Sequence, residues 1–177
     1  KKFKDRKIWC AASTHENEEL VCANVHLRLK NKHKKLLTII IPRHISRTKK
    51  IMNKIETLGL RIVNRSSDEK ITDKTDIYLV DTYGETNKFF KICKTVFLGG
   101  SLIKHGGQNP IEAARMGSTI LHGPYTDNFK DVYKLFRNKK ISYKANNVNQ
   151  LTKLVDKSII NSKNKKNKYL RIKKIGN

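Results

Sequence analysis

Short apolar runs, rich in β-branched residues, alternate with longer segments of helical pattern along the chain. The apolar runs predict seven strands, at residues 7–12, 35–41, 60–64, 76–80, 95–100, 118–122 and 141–144. The intervening segments predict six helices, at residues 15–33, 46–58, 85–93, 109–116, 128–137 and 148–160. This alternation predicts an α/β domain over residues 1–160 with a parallel sheet.

The charge of the chain favours an anionic partner. Its 177 residues, the size of one ordinary domain, carry 39 basic against 15 acidic side chains, a formal net charge of +24. Such an excess attracts nucleic acid, anionic lipid or phosphorylated substrates, although a lysine- and asparagine-rich composition is also what an AT-rich genome encodes. The stretch 161–177 is predicted to be a basic tail, and no apolar run approaches the ~20 residues of a membrane span.

The cysteines and histidines do not form a metal-binding pattern. Cys10, Cys22 and Cys93 are widely spaced without a CxxC pair, so we expect buried free thiols. No HExxH motif and no acidic cluster is present, so the sequence demands no metal. His26 and His33 are interpreted as residues on a helix surface.

Polar segments follow four of the predicted strands. They are STHENEE at 13–19, PRH at 42–44, DTYGE at 81–85 and a glycine-rich stretch at 99–110. Because ligands of parallel sheets bind beyond the carboxyl ends of the strands, these segments predict a site at one edge. Ser13 and Glu16 have the spacing of a capping box, which offers a structural reading of the first segment.

The glycine-rich stretch leads into a predicted helix start. Asn109 has the side chain of an N-cap, Pro110 suits the first helical position and Glu112 completes a capping-box spacing. Gly106 and Gly107 bring bare backbone close to that helix start, where a phosphate would meet free N–H groups. The alternative is a plain turn with a well-capped helix, in which Glu112 is fully occupied by capping. The stretch matches neither GxGxxG nor the Walker pattern.

Three other segments offer polar groups at the same edge. Arg43 could donate two hydrogen bonds to a phosphate, or it could be a solvated loop residue. Gly84 permits close approach of the backbone, and Tyr83 could flank a base or simply pack on the surface. The remaining loop histidines are suited to phosphate or carboxylate contact, and are His15, His44 and His105.

Six motifs in this order resemble the carboxy-terminal half of the 3-deoxy-D-manno-octulosonic acid (Kdo) transferases. They are AASTHENEE, IPRH, DTYGE, FLGGSL, GGQNPIEAA and GPYTDNFKDV, and the resemblance covers about residues 8–154. It implies a Rossmann-like parallel sheet with helices on both faces, the carboxy-terminal half of a GT-B glycosyltransferase. It also implies the transfer of Kdo from CMP-Kdo to a lipid A precursor in lipopolysaccharide biosynthesis.

The resemblance implies donor contacts at specific residues. The CMP contacts would come from Pro42, Arg43, Tyr83, Gly84, Glu85, Gly107, Asn109, Pro110, Ile111 and Glu112. Gly100 and Ser101 would line the Kdo side, Arg43 and Asn109 suit the phosphate, and a carboxylate at Glu112 suits the ribose hydroxyls. The sequence departs from the family pattern at Ile45, which replaces a proline, at Gln108, which replaces a histidine, and at Tyr83, which replaces a methionine.

The resemblance does not extend to the amino-terminal half of the family. That half carries the membrane anchor, the acceptor surface and the acidic residue thought to act as the base. We therefore expect a donor-binding domain, inactive by itself, from an enzyme at the cytoplasmic face of the bacterial inner membrane. CMP-Kdo would be its donor and no metal, cofactor or nucleic acid is expected.

Two alternatives remain open from the residues alone. A basic α/β nucleic-acid-binding module would explain the net charge, but the chain has no recognisable RNA- or DNA-reading motif. A sugar-nucleotide epimerase would share a glycine-rich nucleotide edge. Saturable CMP binding would distinguish the transferase domain from the first alternative.

Overall fold

Seven strands form one parallel sheet in the computed structural model, which describes residue 3 and residues 5–161. The strands are β1 Lys7–Thr14, β2 Leu36–Pro42, β3 Ile62–Asn64, β4 Ile77–Leu79, β5 Thr95–Leu98, β6 Thr119–His122 and β7 Ser142–Lys144. Their order across the sheet is β3-β4-β2-β1-β5-β6-β7. All seven predicted strands are present, and the predicted parallel sheet is confirmed.

Six helices pack on the two faces of this sheet. They are α1 Glu18–Lys30, α2 Thr48–Glu56, α3 Thr86–Ile92, α4 Ile111–Arg115, α5 Lys130–Asn138 and α6 Val148–Ile160. Helices α1, α2 and α6 cover one face, and α3, α4 and α5 cover the other. Along β2, Leu36 and Ile40 contribute to the first core and Leu37, Ile39 and Ile41 to the second, because successive side chains of a strand point to opposite faces.

The prediction that His26 and His33 lie on a helix surface is wrong. Both are buried, at 0% and 4% exposure, because α1 packs beneath α6 and against β2. His26 Nε2 donates to Asp76 across 3.0 Å, and its Nδ1 lies 2.9 Å from Thr38 Oγ1. His33 Nε2 donates to Asp156 on α6 across 2.7 Å. Burial lowers the pKa of His26, and the hydrogen bond to Asp76 opposes that shift.

The strand order places β1 at the centre of the sheet, between β2 and β5. The chain therefore turns in opposite directions from β1, and in open parallel sheets ligands bind beyond the carboxyl ends of the strands at such a point. Cys10, Cys22 and Cys93 are free and buried, as predicted. No helix within residues 5–161 is long and apolar enough to cross a bilayer. Residues 162–177 of the predicted basic tail lie outside the described part of the chain.

Candidate functional site at the carboxyl edge of the sheet

The end of β1 is irregular, and this irregularity sets the direction of the following loop. The register with β2 shifts between Ala12 and Thr14, and Ser13 has a φ of 54°. The predicted capping box of Ser13 and Glu16 is wrong, because α1 begins only at Glu18 and Glu16 points to solvent. Glu16 instead forms ion pairs with exposed lysines, including Lys50 at 2.6 Å.

Glu18 joins the loops that follow β1 and β5. Its carboxylate is 1% exposed and accepts hydrogen bonds from four backbone N–H groups. The donors and their distances are His15 at 2.9 Å, Gly100 at 2.7 Å, Ser101 at 3.1 Å and Leu102 at 3.0 Å. Burial raises the pKa of Glu18, and these four hydrogen bonds oppose the shift because they favour the charged form. Sequence reasoning missed this residue; its only signal was a glutamate in the first turn of a helix.

The predicted residues Gly100, Ser101 and Gly107 form the compact turn after β5. Gly100 and Gly107 have positive φ angles of 64° and 76°, and Gly107 N donates to Gly100 O across 2.8 Å. Ser101 is fully buried; its hydroxyl donates to Leu98 O across 2.5 Å and accepts from Gly123 N across 2.8 Å. The Ser101 side chain therefore supports the turn, and Gly100 presents its bare Cα to the edge.

Three loop histidines come together beside this turn. The ring centroid of His15 lies 4.0 Å from that of His105 and 5.8 Å from that of His44. Burial lowers the pKa of His15 to about 4, and the neighbouring His105 and His44 add to the effect. Because these residues follow β5, β2 and β1, the sheet brings together histidines that are far apart in the sequence.

Arg43 stands exposed at the end of β2, immediately after the buried Pro42. Its backbone N–H donates to Thr14 O across 2.9 Å, which fixes the loop against the end of β1. Within the described residues, no hydrogen bond or ion pair engages its guanidinium. Nearby Arg47, in contrast, forms a bidentate pair with the buried Glu19 at 3.0 and 3.1 Å. Arg43 is therefore the arginine of this loop that is available to a ligand.

The DTYGE segment after β4 is exposed at Tyr83 and Gly84, while the side chain of Glu85 is engaged by neighbouring residues. Tyr83 is 77% exposed, and a Cβ added at Gly84 would meet nothing within 4 Å. The carboxylate of Glu85 is engaged by Arg65 at 3.0 and 3.2 Å and by the Thr82 hydroxyl. These hydrogen bonds lower the pKa of Glu85 to about 2. The side chain of Glu85 thus holds the segment in place, which leaves its backbone and the tip for contact.

The helix after the glycine-rich turn begins later than predicted, at Ile111. Asn109 Oδ1 accepts a hydrogen bond from Ile111 N across 3.0 Å, so this side chain still caps the turn before the helix. The predicted capping role of Glu112 is wrong: it is exposed, and no hydrogen bond within the described residues engages its carboxylate. The cause is the short first turn, in which Pro110 rather than Asn109 flanks the helix.

The sheet brings all these segments to one edge, in a row that follows the strand order β4-β2-β1-β5. The turn after β5, the histidines and Arg43 lie around the ends of the adjacent strands β2, β1 and β5. The DTYGE segment follows β4, which is separated from β5 by two strands, or about 14 Å at the usual strand spacing. The candidate residues therefore form an elongated row along the edge rather than a single point.

His122, at the end of β6, makes the stability of this edge sensitive to acid. It is fully buried, its Nδ1 donates to Gly123 O across 2.6 Å, and burial lowers its pKa to about 4. In the unfolded chain this histidine has its ordinary pKa of ~6.5, so below that pH it binds a proton that the folded chain does not bind. Folding stability is therefore lost as the pH falls from ~6.5 towards 4, by up to about 1.4 kcal/mol per pH unit from this residue.

We expect the substitution His122→Asn to make this pH dependence shallower. Asparagine retains a donor near the Nδ1 position but does not titrate. The measurement is urea unfolding of both proteins at pH 7, 6 and 5, and equal slopes of stability against pH would contradict the assignment.

Comparisons with known proteins agree with one another. No protein-family model matches the chain. The chain is 30% identical over 159 residues to the 3-deoxy-D-manno-octulosonic acid transferase of Haemophilus influenzae, covering 90% of this chain and 37% of that relative. It is 36% identical over 162 residues to a bifunctional glycosyltransferase/methyltransferase of Fusobacterium nucleatum, covering 90% of this chain and 24% of that relative. The chain thus spans between 24% and 37% of the length of these curated relatives.

Solved structures give the same result for the fold. The C-terminal CMP-Kdo binding domain of WaaA from Acinetobacter baumannii matches with a TM-score of 0.90 at 25% identity, covering 98% of this chain and 90% of that one. The C-terminal domain of the glycosyl transferase LpcC from Francisella tularensis matches with a TM-score of 0.58 at 13% identity, covering 94% of this chain and 83% of that one. The second likeness concerns the fold alone.

Proposed function

Because the chain belongs to the Kdo transferase family, as a carboxy-terminal domain of the GT-B type, we propose that it binds the donor CMP-Kdo. The observation that carries this proposal is the match over 98% of the chain to a domain described as binding CMP-Kdo. The predicted donor residues supply the chemistry, since they lie at the carboxyl edge where parallel sheets bind ligands.

The free polar groups of the edge suit the parts of a cytidine monophosphate. The guanidinium of Arg43, which no described residue engages, can donate two parallel hydrogen bonds to the phosphate. The exposed carboxylate of Glu112, which capping does not occupy, can accept from two ribose hydroxyls. The open backbone around Tyr83 and Gly84 is suited to the cytosine edge, and Pro42, Asn109, Pro110 and Ile111 hold the turns between these groups.

The whole enzyme would transfer Kdo from this donor to a lipid A precursor at the cytoplasmic face of the inner membrane. A sugar hydroxyl of the acceptor would displace CMP, with a general base from a second domain. The net charge of +24 would favour an anionic membrane surface and an anionic acceptor. We therefore expect this chain to bind the donor and to transfer no sugar without that second domain.

Calorimetric titration with CMP tests the proposal. We expect saturable binding that weakens at least about tenfold, or about 1.4 kcal/mol, in Arg43→Ala and Glu112→Ala, because each substitution removes a charge-assisted contact. Arg61→Ala and Glu69→Ala are matched controls: these residues form an exposed ion pair of 2.7 Å next to β3, away from the carboxyl edge.

The same titration distinguishes the nucleic-acid alternative. A wild-type chain that ignores CMP but binds any oligonucleotide with a steep dependence on salt would contradict the donor-binding proposal. Equal effects of the edge variants and their controls would contradict the assignment of the site.

A further inference from the structure

We propose that His15, with His44 and His105 beside it, forms a subsite for the carboxylate of the donor sugar. This inference rests on the proposed function and names the part of the donor that the histidine cluster recognises. The cluster comprises these three histidines, and Gly100 and Gln108 form its border.

The first observation is an unpartnered polar atom. His15 is 7% exposed, and its Nε2 is buried without a hydrogen-bond partner in the described part of the chain. The hydroxyl of the preceding residue, Thr14, is fully buried and is also without a partner. Buried polar groups are nearly always hydrogen-bonded, so two such groups in sequence at the end of β1 require an explanation. A polar ligand at this edge would supply the missing partner.

The second observation concerns the backbone donors next to the cluster. Glycine-rich turns usually bind anions with their N–H groups, but here the N–H groups of Gly100, Ser101 and Leu102 already donate to Glu18. A ligand anion at this turn would therefore be held mainly by side chains. The ring of His15 and the amide of Gln108 are the side-chain groups nearest to a Cβ position at Gly100, and His105 lies beside His15.

The third observation concerns the close packing around Gly100. A Cβ added there would lie 3.3 Å from His15 Cδ2 and 3.4 Å from both His15 Nε2 and Gln108 Nε2. Any side chain at this position would thus press between the imidazole and the amide. His105 is exposed and Gln108 is half-buried, so the side chains that border His15 have room to move aside for a ligand.

The charges around the cluster favour an anion. The carboxylate of Glu18 is occupied by backbone N–H groups, and that of Glu19 is paired with Arg47 at 3.0 Å. Arg43 and Arg47 both lower the pKa of His15 through their positive charge, in addition to the larger effect of burial. Burial and these charges favour the neutral imidazole, which can still donate a hydrogen bond to an anion.

The chemistry of the donor selects the carboxylate. In a CMP-linked 2-ulosonic acid such as CMP-Kdo, the anomeric carbon bears both the carboxylate and the phosphate oxygen. A site for such a donor must bind two anionic groups side by side. The cluster lies beside the proposed phosphate site. His44 adjoins Arg43 and Gln108 adjoins Asn109, and Arg43 and Asn109 are the two residues proposed to contact the phosphate.

The test compares three ligands by calorimetry on the full 177-residue chain. They are CMP, a stable phosphonate analogue of CMP-Kdo with a free carboxylate, and the methyl ester of that analogue. We expect wild type to bind the acid at least about tenfold more tightly than the ester, which corresponds to one charge-assisted hydrogen bond. His15→Asn, which shortens the side chain below the Nε2 position, should lose most of this preference, while its affinity for CMP falls less than threefold.

Two variants serve as controls. His15→Gln places an amide near the original Nε2 and should restore part of the preference for the acid. His122→Asn changes another buried histidine with an unpartnered Nε2, at the end of β6, and should retain the full preference. The imidazole nitrogen resonances of wild-type His15 provide a measurement that needs no variant, and they should shift with the acid but not with the ester.

The outcomes separate the two proposals. If wild type binds CMP but does not distinguish the acid from the ester, the carboxylate subsite is wrong and the donor site stands. If His15→Asn weakens CMP and both analogues equally, the cluster serves the phosphate or the fold, and the inference is also overturned. If wild type does not bind CMP, the proposed function fails and the subsite fails with it.

Discussion

Replacing Glu18 with alanine is expected to lower the free energy of unfolding by about 4 kcal/mol. The substitution removes a carboxylate that is 1% exposed and leaves the backbone N–H groups of four residues without an acceptor. Buried donors without a partner cost about 1–3 kcal/mol each, although the loop can relax and some of them can reach water. Urea unfolding monitored by the fluorescence of Trp9 measures the loss.

Glu16→Ala is the matched control for this substitution. Glu16 lies two positions earlier in the same loop, but it is exposed and pairs only with exposed lysines, at 2.6 Å for Lys50 and 3.4 Å for Lys54. Exposed pairs contribute little, so its loss should change stability far less than the loss of Glu18 does. Glu18→Gln should fall between the two, because its amide offers one acceptor oxygen. Similar results for Glu16→Ala and Glu18→Ala would show that Glu18 does not hold the two loops together.

Gly123→Ala is expected to destabilise the fold by about 3 kcal/mol, because the added methyl group has no space. A Cβ at Gly123 would overlap the carbonyl of Ser101 and lie 2.5 Å from Leu102 N. Those atoms belong to the turn that Glu18 holds. The same turn is bonded to Tyr125, whose backbone N–H donates to Ser101 O across 2.9 Å. The turn after β5 would have to move, so we also expect weaker CMP binding.

Gly59→Ala separates this lack of space from backbone strain. Gly59 has a φ of 70°, but a Cβ added there would meet nothing within 4 Å. Its substitution should lower the free energy of unfolding only by the cost of a left-handed backbone conformation for alanine, about 1 kcal/mol. Thermal and urea unfolding of both variants gives the comparison, and a Gly123→Ala protein as stable as Gly59→Ala would contradict the close packing of the two loops.

The strands and the site edge were predictable because they depend on local patterns. The run at β2 is buried along its whole length, and apolar β-branched residues in such a run predict a central parallel strand. The positions of Arg43 and Tyr83 follow from the same rule, since Arg43 comes directly after β2 and Tyr83 lies in the loop after β4. The rule did not predict which polar side chains of these segments remain free. Glu85 is engaged by Arg65, whereas Glu112 is not engaged within the described residues.

The errors concern polar residues, and for His26, His33 and Glu18 the partners are distant in the sequence. His26 was assigned to the surface because a histidine on a helix is usually solvated, but its partner Asp76 lies 50 residues away. Glu18 was passed over because its role depends on Gly100, 82 residues later. The capping boxes at Ser13 and at Asn109 were plausible local patterns, but the bulge in β1 and the short first turn of α4 prevented them.

The sequence by itself determined the alternation of strands and helices, the edge of the sheet at which the proposed donor residues lie, and the family resemblance, because these depend on periodicity and on short motifs. Only the tertiary structure decided the strand order around β1, the joining of two loops by Glu18 and the meeting of His15 with His44 and His105. The physical reason is that a buried polar group takes whichever partner the packing brings within about 3 Å, and the packing depends on the whole chain.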